Sequence, residues 1–148
     1  MAENTKKIAM GCDHAALDMK TMLAEKLSGM GYEIVDVGTH TKDSCDYPVY
    51  AKAVAKKVAS GECACGILVC GSGIGMSMAA NKVRGVRAVV CTEPFSAEMA
   101  RRHNDSNVLC LGARLVGPDM AMEIVNRWMN AHFEGGRHQR RVDLMEKE

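Results

Sequence analysis

A doubly wound α/β fold, a three-layer αβα sandwich around a five-stranded parallel sheet of Rossmann-like type with a C-terminal helical arm, is what this sequence predicts. Short aliphatic or β-branched runs alternate with segments of helical period along the chain. The runs at 66–70 and 86–91 are apolar almost without interruption, as strands buried on both faces must be. At 148 residues the length suits one domain, so a single unit over 1–148 is expected, with 134–148 as the arm.

The first strand is read at Lys7-Ile8-Ala9-Met10-Gly11. Asp13 follows as a candidate N-cap, and Met19, Met22, Leu23, Leu27 and Met30 then recur at helical spacing. A second strand falls at 32–37. Asp46 is the next candidate cap; Pro48 stands in an early turn, where its missing N–H does no harm, and Tyr50, Val54 and Val58 give that helix an apolar face. The third strand, 66–70, runs into three alternating glycines and a helical segment, Ser77-Met78-Ala79-Ala80-Asn81-Lys82. A fourth strand at 86–91 precedes a polar helix ending at Arg102-His103-Asn104-Asp105. A fifth strand at 108–111 precedes the helix marked by Ala121, Ile124, Val125 and Trp128. Glu134-Gly135-Gly136 interrupts the last helical run and introduces the basic Arg137-His138-Gln139-Arg140-Arg141. Ligands of such sheets bind beyond the carboxyl ends of the strands, where the strand order reverses.

Composition removes several function classes. A formal net charge of +1 leaves no global footprint for nucleic acid or a membrane surface, so any anion site is local. Residues 63–80 carry no charge, yet they contain four glycines and two serines, which reads as strand, loop and helix and not as a membrane span. Seven cysteines, an odd number, with no signal-peptide pattern at the start, point to reduced thiols in a cytoplasm. Cys63-Ala64-Cys65 lacks the spacing of a zinc site and has no matching second pair, so neither a metal nor any other cofactor is expected.

The strongest chemical signal is Cys70-Gly71-Ser72-Gly73-Ile74-Gly75-Met76. A glycine-rich turn from a buried strand into a helix stabilises negative charge, so it suits a phosphate, an oxyanion or a cysteine thiolate. The dinucleotide fingerprint fails at Met76, although Glu93 stands near the place of a ribose-binding acid, and no Gly-Lys-Ser/Thr follows for a P-loop. A turn that needs glycines for geometry alone is the plain alternative. Taken alone, Gly11-Cys12-Asp13-His14 reads first as a helix cap followed by a surface histidine, whereas Arg102-His103-Asn104-Asp105 reads equally as a polar helix end or a functional cluster. Arg137 and Arg141, four apart, share one helical face and can fork onto one phosphate, or simply form a solvated basic face.

Taken together, Gly11-Cys12-Asp13-His14, Asp46-Tyr47-Pro48, the 70–75 loop with Ala79-Ala80-Asn81-Lys82, Arg87-Ala88 through Glu93-Pro94, His103-Asn104-Asp105 and Glu134-Gly135-Gly136-Arg137-His138 resemble the type B ribose-5-phosphate isomerase family, which also includes isomerases of galactose and allose 6-phosphates. The resemblance spans nearly the whole chain. It implies metal-independent interconversion of ribose 5-phosphate and ribulose 5-phosphate through an enediolate, as in the pentose phosphate pathway. A hexose 6-phosphate isomerase and a non-catalytic sugar-phosphate-binding module are the alternatives. By resemblance Cys70 is the base, and the amides of Gly71, Gly73, Ile74 and Gly75 receive the developing oxyanion. One branch of the family has glutamate at the position of Met76; methionine cannot take a proton, which places this chain in the cysteine branch. Ser72 stands where threonine is common, and either hydroxyl can assist proton movement. His103 matches the residue that opens the sugar ring. Asp13, Tyr47 and Asn104 would bind hydroxyls, and His14, Arg114, Arg137, His138 and Arg141 the phosphate. The resemblance further implies a homodimer with sites at the subunit interface, and possible pairing of dimers into a tetramer.

Overall fold

Five parallel strands form one sheet in the order β2-β1-β3-β5-β4 in the computed structural model, which describes residues 3–148. The strands are β1 (Lys7–Cys12), β2 (Glu33–Asp36), β3 (Cys65–Cys70), β4 (Ala88–Val90) and β5 (Val108–Gly112); the helices are α1 (Leu17–Gly29), α2 (Tyr47–Ala59), α3 (Ile74–Ala80), α4 (Pro94–Asn104), α5 (Pro118–Asn130) and α6 (Arg137–Glu146). All pairings are parallel, with Ile8 opposite Cys65, Gly66 opposite Val108 and Ala88 opposite Val108. From β1 the chain first moves outward to β2, then crosses back to place β3 on the other side. The order therefore reverses between β1 and β3, and their carboxyl ends form the crevice that such sheets use for ligands.

The alternation of apolar and helical segments has its counterpart in two cores, one on each sheet face. Ile8, Met10, Ile67, Val69, Leu109 and Leu111 point toward α1 and α5, meeting Leu23, Leu27, Ile124 and Trp128. Ala9, Leu68, Val108 and Cys110 point the other way, toward Val54, Ala55, Val58, Met76 and Ala80 of α2 and α3. Burying each large aliphatic side chain contributes about 1.5–3 kcal/mol. Trp128 is fully buried, and its indole N–H donates to Ser106 Oγ at 2.7 Å. That bond meets the one polar requirement the ring brings into the core.

Several boundaries differ from the sequence reading for identifiable reasons. Asp13 accepts from Ala15 N–H, capping a short 3-10 turn, His14–Ala16, that leads into α1. Asp46 occupies the cap position of α2 without a side-chain cap bond. β4 has only three residues, because the amide of Arg87 is taken by Asn107 Oδ1 at 2.7 Å before the ladder begins. α3 starts at Ile74, directly after Gly73, and ends before Asn81, whose side chain instead bonds both main-chain groups of Ala88. Met1 and Ala2, within the single unit expected over 1–148, lie outside the described residues. Among the described residues no helix is long and apolar enough to cross a membrane.

Candidate active site

Cys70 closes β3 at the reversal point, opposite Gly112 of β5. Its sulfur accepts the Gly73 N–H at 3.1 Å, and its carbonyl accepts the Ala113 N–H at 2.9 Å, so main chain fixes both the thiol and the backbone that carries it. Gly73 sits at φ 78°, the left-handed conformation that turns this N–H back on the sulfur. A Cβ there would fall 2.8 Å from Val90 Cγ2 and 2.9 Å from the Leu111 carbonyl carbon. Gly75 is required for a different reason: a Cβ there would stand 2.7 Å from the Tyr47 ring, which lies against the loop. Ser72 Oγ accepts from Ile74 N–H at 3.3 Å. Arg114 donates its main-chain N–H to the Gly71 carbonyl at 3.0 Å, and its guanidinium lies beside Gly71.

The end of β1 meets this loop through Asp13, whose N–H donates to Val69 O at 3.1 Å. His14 follows, and its Nδ1 accepts the Cys45 N–H at 3.3 Å with the Cys45 sulfur 3.7 Å away. With Nδ1 accepting, a neutral His14 ring carries its proton on Nε2, a donor suited to a phosphate oxygen. Cysteine loop, Asp13, His14, Tyr47 and Arg114 thus form one cluster at the carboxyl ends of β1 and β3.

Five other thiols are governed by burial. Burial pushes Cys12 up to about 11, Cys91 up to about 11 and Cys65 up to about 12, and it also raises Cys63 and Cys110. These sulfurs stay protonated and pack as small apolar groups.

The remaining expected residues lie elsewhere. α4 begins beyond β4 and runs back, so His103 and Asn104 come out beside the start of β5; Arg87, just ahead of β4, donates through Nε to the Asp105 carbonyl at 2.9 Å. Cys70 is at the other end of the sheet, about 13 Å away along the strand direction, the rise from Gly66, opposite Val108, to Cys70. His138 stacks on His103 with ring centroids 4.4 Å apart and planes 9° apart. Both Nε2 atoms approach Glu134 Oε1, at 3.9 Å for His103 and 3.7 Å for His138. Arg102 Nε holds the other carboxylate oxygen at 2.5 Å, and this pairing, ahead of the neighbouring imidazoles, lowers the Glu134 pKa. Arg137 and Arg141 are exposed on α6 beside this cluster.

His103, Glu134 and His138 are the metal-type donors that the described residues gather. Their rings are stacked face to face, however, so the lone pairs run side by side instead of converging, and Arg102 already occupies the carboxylate. The arrangement suits proton sharing better than ligation. Sequence reasoning had given Glu134 no chemical part; its one local signal is the spacing of four to His138.

A parallel sheet whose reversal point carries a glycine loop and a thiol bonded by main chain, with a histidine and a guanidinium beside it, has the architecture of an α/β enzyme that takes a small ligand at its strand ends. Residues 8–145 match the model of the ribose/galactose isomerase family, and the chain belongs to that family. It is 52% identical over 140 residues to ribose-5-phosphate isomerase B of Escherichia coli, covering 95% of this chain and 94% of that one. The Clostridium thermocellum ribose-5-phosphate isomerase B structure superposes with a TM-score of 0.94 at 50% identity over 95% of each chain. The Mycoplasma genitalium enzyme, solved with bound ribulose-5-phosphate, gives 0.91 at 40% identity over 95% of this chain and 93% of that one.

Proposed function

We propose that this protein is an aldose–ketose isomerase that interconverts ribose 5-phosphate and ribulose 5-phosphate, working as a homodimer. The observation that carries the reading is the Cys70 sulfur, 3.1 Å from the Gly73 amide inside a glycine loop at the sheet's reversal point. The ribulose-5-phosphate complex of a relative 40% identical supports the substrate.

In this reading Cys70 thiolate takes the C2 proton of the open-chain aldose and returns it to C1, while the proton on the C2 oxygen moves to the C1 oxygen, with Ser72 beside both. Amides of Gly71, Gly73, Ile74 and Gly75 face the enediolate oxygen, where charge develops. Asp13 and Tyr47 bind hydroxyls, and His14 and Arg114 face the phosphate. The cyclic sugar is opened first. His103, contributed by a second copy, gives a proton to the ring oxygen as the C1–O bond breaks, and the C1 hydroxyl proton leaves to water. Asn104, Arg137, His138 and Arg141 of the same second copy complete the hydroxyl and phosphate contacts.

Two features support the dimer: the two residue sets lie at opposite ends of one chain's sheet, and α3 exposes Ile74 and Met78, four apart on one face. Residues 1–148 act as one unit, with 134–148 the arm that delivers Arg137 and Arg141. Seven free cysteines suit the reducing cytoplasm.

Turnover of ribose 5-phosphate and allose 6-phosphate, each measured with and without a chelator, tests the assignment. A preference for the pentose, unaffected by chelation, is expected, and Cys70→Ala lowers kcat by about 10²–10⁴-fold with binding largely kept. A large preference for the hexose, or a fully active Cys70→Ala, overturns it.

A further inference from the structure

The cluster at the end of α4 places two imidazoles, one carboxylate and three guanidinium groups in a small volume. Two stacked rings with centroids 4.4 Å apart repel each other when both are charged, so the His103–His138 pair accepts at most one proton readily. The surroundings decide whether it holds even that one. Arg102 on α4 and Arg137 and Arg141 on α6 oppose it; Glu134, on the segment between α5 and α6, is the carboxylate that faces both rings. Burial, followed by His103 and Arg137, lowers His138, whereas His103 keeps 40% of its side-chain surface in solvent. His103 is thus the more open ring of the pair, the one that can reach a substrate.

Glu134 is anchored for such a part. Its Oε2 is held by Arg102 Nε at 2.5 Å, and its main-chain N–H donates to the Arg102 carbonyl at 3.0 Å. The carboxylate is thereby fixed to the last turn of α4, the turn that carries His103. We propose that Glu134 is a positioning residue of the isomerase: it orients His103 and keeps a proton on the stacked pair, so that ring opening has its acid available at neutral pH. The inference rests on the isomerase reading above. It also accounts for Glu134-Gly135-Gly136, because positive φ at Gly135 and Gly136 turns the chain so that His138, one residue into α6, comes back over Glu134.

The test uses the full-length protein, its Glu134→Gln variant, which keeps shape and hydrogen bonding but not charge, and Glu134→Asp, which keeps charge. Titration of the His103 ring protons by NMR reads the effect without turnover. Glu134→Gln is expected to move the ring-proton titration of the stacked pair to lower pH, and Glu134→Asp to restore most of it, because the carboxylate that faces both rings is lost in the first and kept in the second. The alkaline limb of kcat/KM for ribose 5-phosphate then moves to lower pH by the same amount. D-Erythrose 4-phosphate, which has no free hydroxyl able to close a furanose, is the open-chain control; exchange of its C2 hydrogen with deuterated solvent should change less than twofold. An unmoved His103 titration in Glu134→Gln overturns the proposal, as does a moved titration with an unmoved ribose 5-phosphate profile. Wild-type protein inert toward ribose 5-phosphate would instead overturn the isomerase reading, while the titration would still report on Glu134 itself.

Discussion

Among seven cysteines, Cys70 is the one that ends a buried strand with a main-chain N–H directed at its sulfur. The glycine spacing after it made that residue legible in the sequence, because Gly71, Gly73 and Gly75 have no purpose inside a strand. The protonated state of its neighbours was not legible, since it depends on burial that only packing provides. Cys65 is the clearest case: 4% exposed, it packs against Met129 and is pushed up to about 12. Below pH 9 this thiol is neutral in both folded and unfolded chains. Above that, the unfolded chain ionises while the folded one cannot until about 12, so stability falls across that window. Relative to Cys65→Ala, the wild type should lose about 2 kcal/mol of stability between pH 8 and pH 10.5, read from urea midpoints. A gap that stays constant with pH would show that the thiol ionises as freely in the fold as outside it.

At the scale of elements, strand positions were readable from apolar runs, but helix ends were governed by bonds that spacing does not reveal. Glu93, near the place of a ribose-binding acid, instead caps α4 by accepting from Phe95 and Ser96 N–H. Lys20, placed in a helix by period alone, is 1% exposed and donates to Asp36 Oδ1 and Thr39 O at 2.8 and 2.7 Å, tying α1 to the segment that leads toward Cys45 and Tyr47. Such long-range pairs leave no periodic trace. In the proposed isomerase the chemistry depends on the α3 entrance. Gly73→Ala forces a left-handed alanine, costing about 1–2 kcal/mol from the backbone alone, and drives its Cβ into Val90 and Leu111. Relief of that contact displaces the N–H that faces Cys70. The expected result is a lower urea midpoint together with at least tenfold lower turnover. Gly61→Ala is the control: φ is also positive, at 82°, but its Cβ would meet nothing within 4 Å, so stability should fall while turnover does not. Equal losses of turnover in the two variants would mean that loop geometry is not what limits catalysis.

For the whole molecule, the side of the sheet on which a residue falls follows from chain direction: residues just after a strand gather at one end, and those just before the next strand at the other. Cys70 and His14 belong to the first group, and His103, Asn104 and the α6 arginines to the second. In the proposed homodimer a single chain holds two half-sites that its own sheet keeps apart, and the two-fold pair joins each half to its complement. This arrangement makes a sharp numerical prediction. Cys70→Ala and His103→Ala are each inactive alone, but after mixing and subunit exchange half of the dimers are hybrids. One of the two sites in a hybrid collects both substitutions, and the other collects neither. Turnover should therefore recover to about a quarter of the wild-type value per chain. The check is steady-state turnover of ribose 5-phosphate before and after co-refolding of equal amounts of the two variants. No recovery, with hybrids demonstrated by mass spectrometry of differently tagged chains, would place both residues in a site built by one chain alone.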